Sequence, residues 1–256
     1  MKILLTNDDG IHAPGIRALY EGLKEEHSVT VIAPESEQSA VGHAITLLKP
    51  LRIKTVRIGN GFEGFAVDGT PADCVKIGVK EVIKDGPPDL VISGVNLGAN
   101  VGIDALYSGT VSAATEGAIL SIPSMAVSLD TFENPDFGPS VRVVRALIAM
   151  IKQNGVKKGT ALNVNVPAMP WEKIAGIAVT RHGESRYLEN FDQRVDPRGN
   201  VYYWQAGGTL HEDERHDADR QALRSGKISV TPLHFDLTDY EALEQIRRWG
   251  VHMRSM

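Results

Sequence analysis

In the first part of the chain, segments with the apolar pattern of β-strands alternate with segments whose apolar residues have helical spacing. Lys2 to Thr6 is a short apolar run that ends in Asn-Asp-Asp-Gly, which predicts a buried strand closed by a loop. Pro14 suits the first turn of a helix. The apolar residues after it share one helical face: Ile16, Leu19, Tyr20 and Leu23. With a strand at Val29 to Ala33, this opening predicts a parallel strand–helix–strand unit with a right-handed crossover.

The same alternation continues as far as Val166. Strands are predicted at Arg52 to Ile58, Gly64 to Val67, Leu90 to Ser93, Met125 to Leu129 and Ala161 to Val166, the first two as a hairpin. Helices are predicted after the Thr70-Pro71 cap, at Thr110 to Leu120 and at Val141 to Ile151, with a loop over 94–109. This pattern predicts an α/β fold with an open, mostly parallel sheet covered by helices on both faces.

The pattern changes after Pro167. Strands are predicted at Trp171 to Arg181 and Ile228 to Leu233, and an aromatic segment with a turn lies between them. Thr238 and Glu241 have the spacing of a capping box, which predicts a terminal helix over 238–250. We therefore expect a single domain over 1–256, with a core over 1–166 and an extension or oligomerisation arm over 171–235.

Composition narrows the classes of protein to which this chain can belong. With 27 Lys and Arg against 32 Asp and Glu, the formal charge is −5, which disfavours binding to nucleic acid. Cys74 is the only cysteine, so neither an intrachain disulfide nor a Cys-based zinc site is expected. No apolar run approaches the roughly 18 residues of a membrane span. The N-terminal apolar stretch is too short for a signal peptide, so we expect a cytoplasmic protein.

Polar side chains follow three of the predicted strands, where open parallel sheets bind their ligands. They are Asn7, Asp8 and Asp9 in the first loop, Glu35, Glu37 and Ser39 in the second, and Ser93, Asn96 and Asn100 in the third. Such oxygen donors suit Mg²⁺, Mn²⁺ or Ca²⁺ rather than zinc. A divalent cation would relieve the repulsion between Asp8 and Asp9. The alternative, that Asn-Asp-Asp-Gly is only a turn, stays open.

The predicted helix after the third loop begins with Ser108, Gly109 and Thr110. Free backbone N–H groups and the positive end of the helix dipole make such a start an anion site, and phosphate is the usual ligand. The alternative is ordinary N-capping by Ser108 or Thr110. A metal site at the same sheet edge favours phosphate, because a cation and oriented N–H donors together serve phosphoryl chemistry.

Several weaker signals receive structural interpretations. The glycines at 59, 61 and 64 have dinucleotide-binding spacing, but a strand follows them, so we interpret them as a hairpin turn. The charged segment 211–220 is interpreted as solvated surface and Cys74 as a packed thiol. His12, three residues beyond the Asp pair, and His234, at the end of the last predicted strand, could reach the site and move a proton. For each of them, a histidine in an ordinary loop is the alternative.

Three long motifs resemble the SurE family of nucleotidases. They are Asn7-Asp8-Asp9-Gly10-Ile11-His12-Ala13-Pro14-Gly15, Ser93-Gly94-Val95-Asn96 with Gly98 and Asn100, and Tyr107-Ser108-Gly109-Thr110-Val111 with Glu116-Gly117. Shorter stretches extend the resemblance: 34–39, 68–74, 163–167 and 229–233. The resemblance is weakest over 183–220, and it covers nearly the whole chain.

The resemblance implies a Rossmann-like core whose C-terminal extension is exchanged between subunits of a homodimer or homotetramer. It implies hydrolysis of nucleoside 5′-monophosphates, and also of 3′-nucleotides and polyphosphate in some members. The metal ligands of the family fall on Asp8, Asp9, Ser39 and Asn96, and its phosphate-contacting loop falls on Ser108, Gly109 and Thr110.

Together these observations predict a phosphomonoesterase that uses one divalent metal ion, with Asp8 and Asn96 as catalytic residues. We prefer attack by water to a phospho-aspartyl intermediate at Asp8, because the second Asp is adjacent to the first rather than two residues away. The rival hypothesis is a non-catalytic nucleotide-binding regulatory module that uses the same sheet edge.

Overall fold

A computed structural model describes residues 1–58 and 62–249. Its strands are β1 (Lys2–Thr6), β2 (Ser28–Pro34), β3 (Ile53–Ile58), β4 (Phe62–Val67), β5 (Leu90–Leu97), β6 (Ser124–Asp130), β7 (Thr160–Pro167), β8 (Ile177–Val179), β9 (Arg186–Val195), β10 (Val201–His211) and β11 (Ile228–His234). Its helices are α1 (Pro14–Leu23), α2 (Pro71–Ile77), α3 (Asp104–Tyr107), α4 (Gly109–Ile119), α5 (Gly138–Asn154), α6 (Asp219–Arg224) and α7 (Tyr240–Arg247).

Nine strands form one sheet in the order β3-β4-β2-β1-β5-β6-β7-β11-β8. The six strands from β4 to β7 in that order run parallel. Strand β3 pairs antiparallel with β4 and β11 pairs antiparallel with β7, whereas β8 runs parallel to β11. Helices α1 and α5 pack on one face of the sheet, and α2 and α4 pack on the other, each through buried apolar side chains. The predicted open α/β sheet with helices on both faces is confirmed.

Most predicted elements of the core are present within a few residues of their expected ends. Pro14 and Pro71 begin helices as predicted, and Thr70 caps α2 in a capping box with Asp73. The loop expected over 94–109 is shorter, because β5 continues to Leu97 and 104–107 forms α3. The hairpin of β3 and β4 is present, but the turn predicted at 59–61 lies outside the described residues.

Two predictions in the C-terminal part are wrong. Trp171 to Arg181 is not one strand: it begins with a 3₁₀ turn, and only β8 pairs with the sheet. Thr238 does not cap the last helix, because the Asp239 carboxylate takes that role and accepts from the amide of Ala242. Asp239 is a strong capping residue one position nearer the helix. The predicted helix over 238–250 is observed as α7, and Gly250 lies outside the described residues.

The predicted extension over 171–235 occupies two places. Strands β8 and β11 complete the main sheet, so only the antiparallel hairpin of β9 and β10 leaves the core. We call this hairpin, residues 186–211, the arm. The division into domains stays a prediction. Within 1–58 and 62–249, no helix is long and apolar enough to cross a membrane.

Candidate functional site

The candidate site lies at β1, where the order of the strands in the sheet changes direction: β2 lies on one side of β1, and β5 lies on the other. Strand β1 lies between β2 and β5, and all three run parallel, so the loops after them meet at one edge. The amide of Gln38 in the second loop donates to the carbonyl of Asp8 in the first at 2.8 Å. The predicted convergence of three strand-end loops is confirmed, at the position where open α/β sheets bind ligands.

Asp8 is held by the start of helix α4. Its carboxylate accepts the backbone N–H of Thr110 at Oδ2 (2.9 Å) and the Thr110 hydroxyl at Oδ1. Only 6 % of Asp8 is exposed. Burial raises the pKa of Asp8, and the two hydrogen bonds from Thr110 partly offset this effect. The anion at the positive end of α4 is therefore a carboxylate of the chain itself.

Gly109 allows this close approach of α4 to β1. A Cβ atom at position 109 would lie 2.8 Å from Cβ of Asp8 and 3.0 Å from its Oδ2. Any larger residue would push the helix start away from the carboxylate. The preceding residue, Ser108, caps the helix by accepting from the amide of Val111 at 3.1 Å, as the N-capping alternative predicts.

Asp9 carries the most perturbed carboxyl of the first loop. Burial, together with the negative charges of Asp8 and Glu37, raises the pKa of Asp9 to about 7. Three acidic side chains from two loops are thus close enough to repel one another. Such crowding favours a bound cation at this edge of the sheet.

Ser39 in the second loop and Asn96 near the end of β5 approach the same region. Ser39 Oγ donates to Glu37 Oε1 at 2.5 Å. Asn96 Nδ2 donates to the carbonyl of Gly98 at 2.8 Å, which leaves the amide oxygen Oδ1 for a ligand. A β-bulge between Ser93 and Asn96 interrupts the pairing with β6, and bulges commonly redirect side chains at sites.

An open cleft of about 720 Å³ joins these loops to the arm. Four of the predicted site residues line it: Asp8, Ser39, Asn96 and Ser108. Asp9, Gly109 and Thr110 do not line it, and Thr110 is fully buried behind Asp8. The structure therefore separates the predicted set into residues that face the cleft and residues that support them.

A model of the family described as Survival protein SurE matches residues 3–189. The chain belongs to the SurE family. The resemblance on the three motifs is thereby confirmed.

Similar proteins within the SurE family match along their whole lengths. A 5′-nucleotidase SurE of Syntrophobacter fumaroxidans is 53 % identical over 98 % of this chain and 100 % of its own length. One of Syntrophus aciditrophicus is 54 % identical over 96 % of this chain and 93 % of its own. The crystal structure of the SurE protein of Aquifex aeolicus covers 98 % of this chain and 100 % of its own at 42 % identity, with a TM-score of 0.84.

The donor set of this SurE-family chain fits a divalent cation. Asp8, Asp9, Ser39 and Asn96 offer carboxylate, hydroxyl and amide oxygens, which are the donors that Mg²⁺, Mn²⁺ and Ca²⁺ prefer. Asn7 Oδ1 and Ser93 Oγ are buried at the same strand ends and have no hydrogen-bond partner among the described residues. Among residues 1–58 and 62–249, no three or more His, Cys, Asp or Glu side chains form a group that could hold a metal. Half of the donor set named above is Ser and Asn.

The two predicted histidines lie in different places. His12 is exposed in the loop after Asp9. His234 does not reach the site, so of the two alternatives left open for it, the proton-moving role is wrong. Strand β11 runs antiparallel to β7 and pairs His234 with Thr160, the first residue of β7. His234 therefore lies at the amino-terminal edge of the parallel strands, opposite the cleft.

Sequence reasoning missed the residues that fasten the third loop. The amide of Asn100 donates to Asn165 Oδ1 at 2.8 Å, and Asn163 Nδ2 donates to the carbonyl of Asn100 at 2.7 Å. Buried Asp219 accepts from the amide of Gly102 at 2.9 Å, and His182 Nε2 lies 2.7 Å from the Gly102 carbonyl oxygen. Polar residues alternating with valines at 163–166 are a signal that could have indicated the first pair.

Proposed function

We propose that this protein is a 5′-nucleotidase that hydrolyses nucleoside 5′-monophosphates to nucleoside and phosphate with one divalent metal ion. The observation that carries the proposal is the full-length identity of 53 % and 54 % to relatives named 5′-nucleotidase SurE, joined to an acidic cleft at the sheet edge. Hydrolysis of 3′-monophosphates and of polyphosphate belongs to the same proposal, because the cleft is open at the surface.

The charge of the cleft supports a requirement for a cation. Its lining includes Asp8, Asp104 and Glu189, whereas no Lys or Arg among the described residues lines it. A phosphate dianion would meet only negative charge there. A divalent cation when bound would offset the charge of the phosphate and lower the pKa of a water molecule toward neutrality.

Asp8, Asp9, Ser39 and Asn96 are the residues that would hold the cation. Asp8 accepts one hydrogen bond at each oxygen, so a lone pair on each oxygen remains for the ion. Asn96 presents Oδ1 because its amide nitrogen is bound to Gly98. These two residues are our candidates for direct participation at the phosphate.

Ser108, Gly109 and Thr110 support the phosphate in different ways. The Ser108 residue lines the cleft and can contact the substrate. Thr110 donates its N–H and hydroxyl to Asp8, so in this arrangement it acts as a positioning residue rather than a direct phosphate ligand. Gly109 keeps the helix start close enough for both interactions.

We also propose that the chain forms a homodimer or homotetramer through the arm. Every residue of β9 is exposed, and the arm carries several large exposed side chains: Tyr187, Phe191, Tyr202, Tyr203 and Trp204. An exposed apolar surface of this kind usually marks a protein interface. A second copy of the chain is the simplest partner because a twofold axis buries the same surface twice.

Phosphate release from AMP, measured with Mn²⁺, with Mg²⁺ and with a chelator, tests the proposed activity. We expect turnover with a divalent cation and loss of turnover with the chelator. Turnover that resists the chelator would contradict the requirement for a metal. Tight binding of AMP without turnover under any cation would favour the non-catalytic regulatory module instead.

A further inference from the structure

Phe132 is an aromatic side chain left on the wall of the cleft. It lies in the loop between β6 and α5, lines the cleft and is 81 % exposed. The large apolar residues of the core are buried by contrast, and no role in holding the cation falls on this ring. Its place on the wall of the candidate cleft, where ligand sites commonly present aromatic side chains, makes it a candidate for contact with the substrate.

The ring is held against the loop that carries Asn96. A Cβ atom at Gly98 would lie 2.4 Å from Cζ of Phe132, so only glycine lets the ring lie on this backbone. The amide of Gly98 lies 2.9 Å from the carbonyl oxygens of both Leu129 and Thr131, which ties the two loops together. The Gly98 carbonyl in turn accepts from Asn96. The ring is therefore fixed relative to the candidate metal ligand.

We propose that Phe132 is the stacking surface for the base of the nucleotide, an inference that rests on the proposed nucleotidase function. With the phosphate beside Asp8 and Asn96, the nucleoside must extend along the same cleft, whose lining includes three aromatic residues: Tyr107, Phe132 and Tyr187. The ring of Tyr187 is covered by Arg220, whose guanidinium carbon lies 5.9 Å from the ring centroid. Phe132 is more exposed than Tyr107, at 81 % against 58 %, so its face is the most open of the three to a base.

Stacking on a phenyl face has a consequence for specificity. Every base presents a π-face, so stacking binds purines and pyrimidines with little hydrogen-bond selectivity. A larger purine ring covers more of the phenyl ring than a pyrimidine does. We expect a graded preference for purine over pyrimidine monophosphates rather than selection of one base.

The test compares a nucleotide with a phosphate ester that has no base. KM is measured for AMP and for ribose 5-phosphate with Mn²⁺, in the wild type, Phe132→Ala and Phe132→Leu. We expect Phe132→Ala to raise the KM for AMP about tenfold more than the KM for ribose 5-phosphate, which lies within the range of about 5- to 150-fold that a stacked base contributes. Phe132→Leu keeps apolar bulk without the ring and should give an intermediate ratio.

The matched control is Phe235→Ala. Phe235 is a half-exposed phenylalanine stacked on His234, after β11 at the opposite edge of the sheet. We expect it to leave the ratio of the two KM values within about twofold of the wild type, as surface substitutions away from a site usually do. A ratio that changes equally in both alanine variants would overturn the inference.

The outcomes separate this inference from the proposed function. If the wild type hydrolyses both esters and Phe132→Ala raises both KM values equally, the ring only supports the Asn96 loop and the stacking inference fails while the nucleotidase stands. If the wild type hydrolyses neither ester, the proposed function fails. Calorimetric titration with AMP then decides the inference, which requires weaker binding by Phe132→Ala and fails if the two proteins bind AMP equally.

Discussion

Thr110 donates its backbone N–H and its hydroxyl to the two carboxylate oxygens of Asp8, across 102 residues of sequence. The interaction fixes the Asp8 carboxylate in two directions at once and places it at the positive end of helix α4. It also occupies the two Thr110 donors, which the sequence pattern had assigned to phosphate. A threonine in a helix-start motif can thus serve a site by orienting a ligand residue rather than by touching the substrate.

Thr110→Val removes the hydroxyl but keeps the volume and the backbone N–H. We expect the concentration of Mn²⁺ that gives half-maximal AMP hydrolysis to rise about 10- to 100-fold, the usual cost of losing a group that orients a metal ligand. Thr110→Ser keeps a hydroxyl and should stay closer to the wild type. Cation titrations at saturating AMP measure the effect.

The control for this change is Thr115→Val on the same helix. The Thr115 hydroxyl donates to the carbonyl of Val111, one turn back, and does not touch Asp8. We expect an unaltered cation requirement. Equal cation requirements in Thr110→Val and the wild type would contradict the positioning role.

Asp8→Asn and Asp9→Asn each remove one negative charge from the crowded first loop. We expect each to reduce AMP hydrolysis by more than about a hundredfold, since a direct ligand should matter more than its outer partners. Ser39→Ala should be milder, because water can replace a hydroxyl ligand. Asp85→Asn, an exposed change far from the cleft, is the control, and near wild-type activity in both site variants would disprove the metal site.

Asp219 is expected to act on the site through the loop that it fastens. Its carboxylate accepts from the amides of Gly102 and Arg220 and is fully buried. Asp219→Ala leaves these donors unpaired, which should cost about 1–3 kcal/mol of stability and lower kcat more than it changes KM. Asp219→Asn retains an acceptor oxygen and should recover part of the stability and part of the kcat that Asp219→Ala loses.

Thermal unfolding and steady-state kinetics measure this effect, with Asp217→Ala as the neighbouring control. Asp217 forms an exposed ion pair with Arg181 at 2.8 Å, and such pairs contribute little. If Asp219→Ala lowered stability but left kcat at the wild-type level, the residue would be structural only.

The strand-end loops could be predicted from sequence because each follows an apolar run directly. Asp8 comes two residues after the end of β1, and Asn96 comes four residues after Ile92, near the end of β5. Local pattern also identified Ser108 as a helix cap. Such features depend only on residues that are neighbours in the chain, so they can be predicted from a single sequence.

Long-range features could not be predicted in the same way. The direction of β11 decides that His234 lies opposite the cleft, and no local pattern distinguishes a parallel from an antiparallel partner for a short apolar run. Asp219 approaches Gly102 across 117 residues, and only the folded sheet brings them together. The role of Thr110 was missed for the same reason.

Glu116 makes the segment after Ser39 sensitive to acid. Its buried carboxylate lies 2.9 Å from His43 Nε2 and 3.1 Å from Lys76 Nζ. Burial raises the pKa of Glu116, but hydrogen bonds from His43 and Lys76 outweigh it, so the pKa lies below its ordinary value of 4.5. A carboxyl whose pKa is lower in the folded than in the unfolded protein stabilises the fold at any pH above its unfolded pKa. That contribution is lost as the pH falls through the folded pKa.

We expect Glu116→Gln to lower the thermal midpoint at neutral pH. The difference from the wild type should shrink below about pH 4.5, as both proteins come to carry a neutral side chain at this position. Glu25→Gln, an exposed change in the turn after α1, should show no such trend. A difference that stays constant to about pH 3 would contradict the ion-pair account.

The arm gives the test of assembly. Its strand register places Val195 opposite Val201 and Tyr203 opposite Gln193, so the apolar side chains Phe191, Val195, Val201 and Tyr203 share one face. Replacing Val195 and Tyr203 by Asp adds two negative charges to that face. We expect a dimer or tetramer in the wild type and a monomer in the double variant, because burying unpaired charges in an interface is strongly destabilising. Lys158→Asp changes the net charge by the same amount at an exposed position just before β7, outside the arm, and should keep the wild-type assembly. Sedimentation velocity at micromolar concentration measures all three proteins, and a wild type that sediments as a monomer would disprove the interface while leaving the metal-site predictions intact.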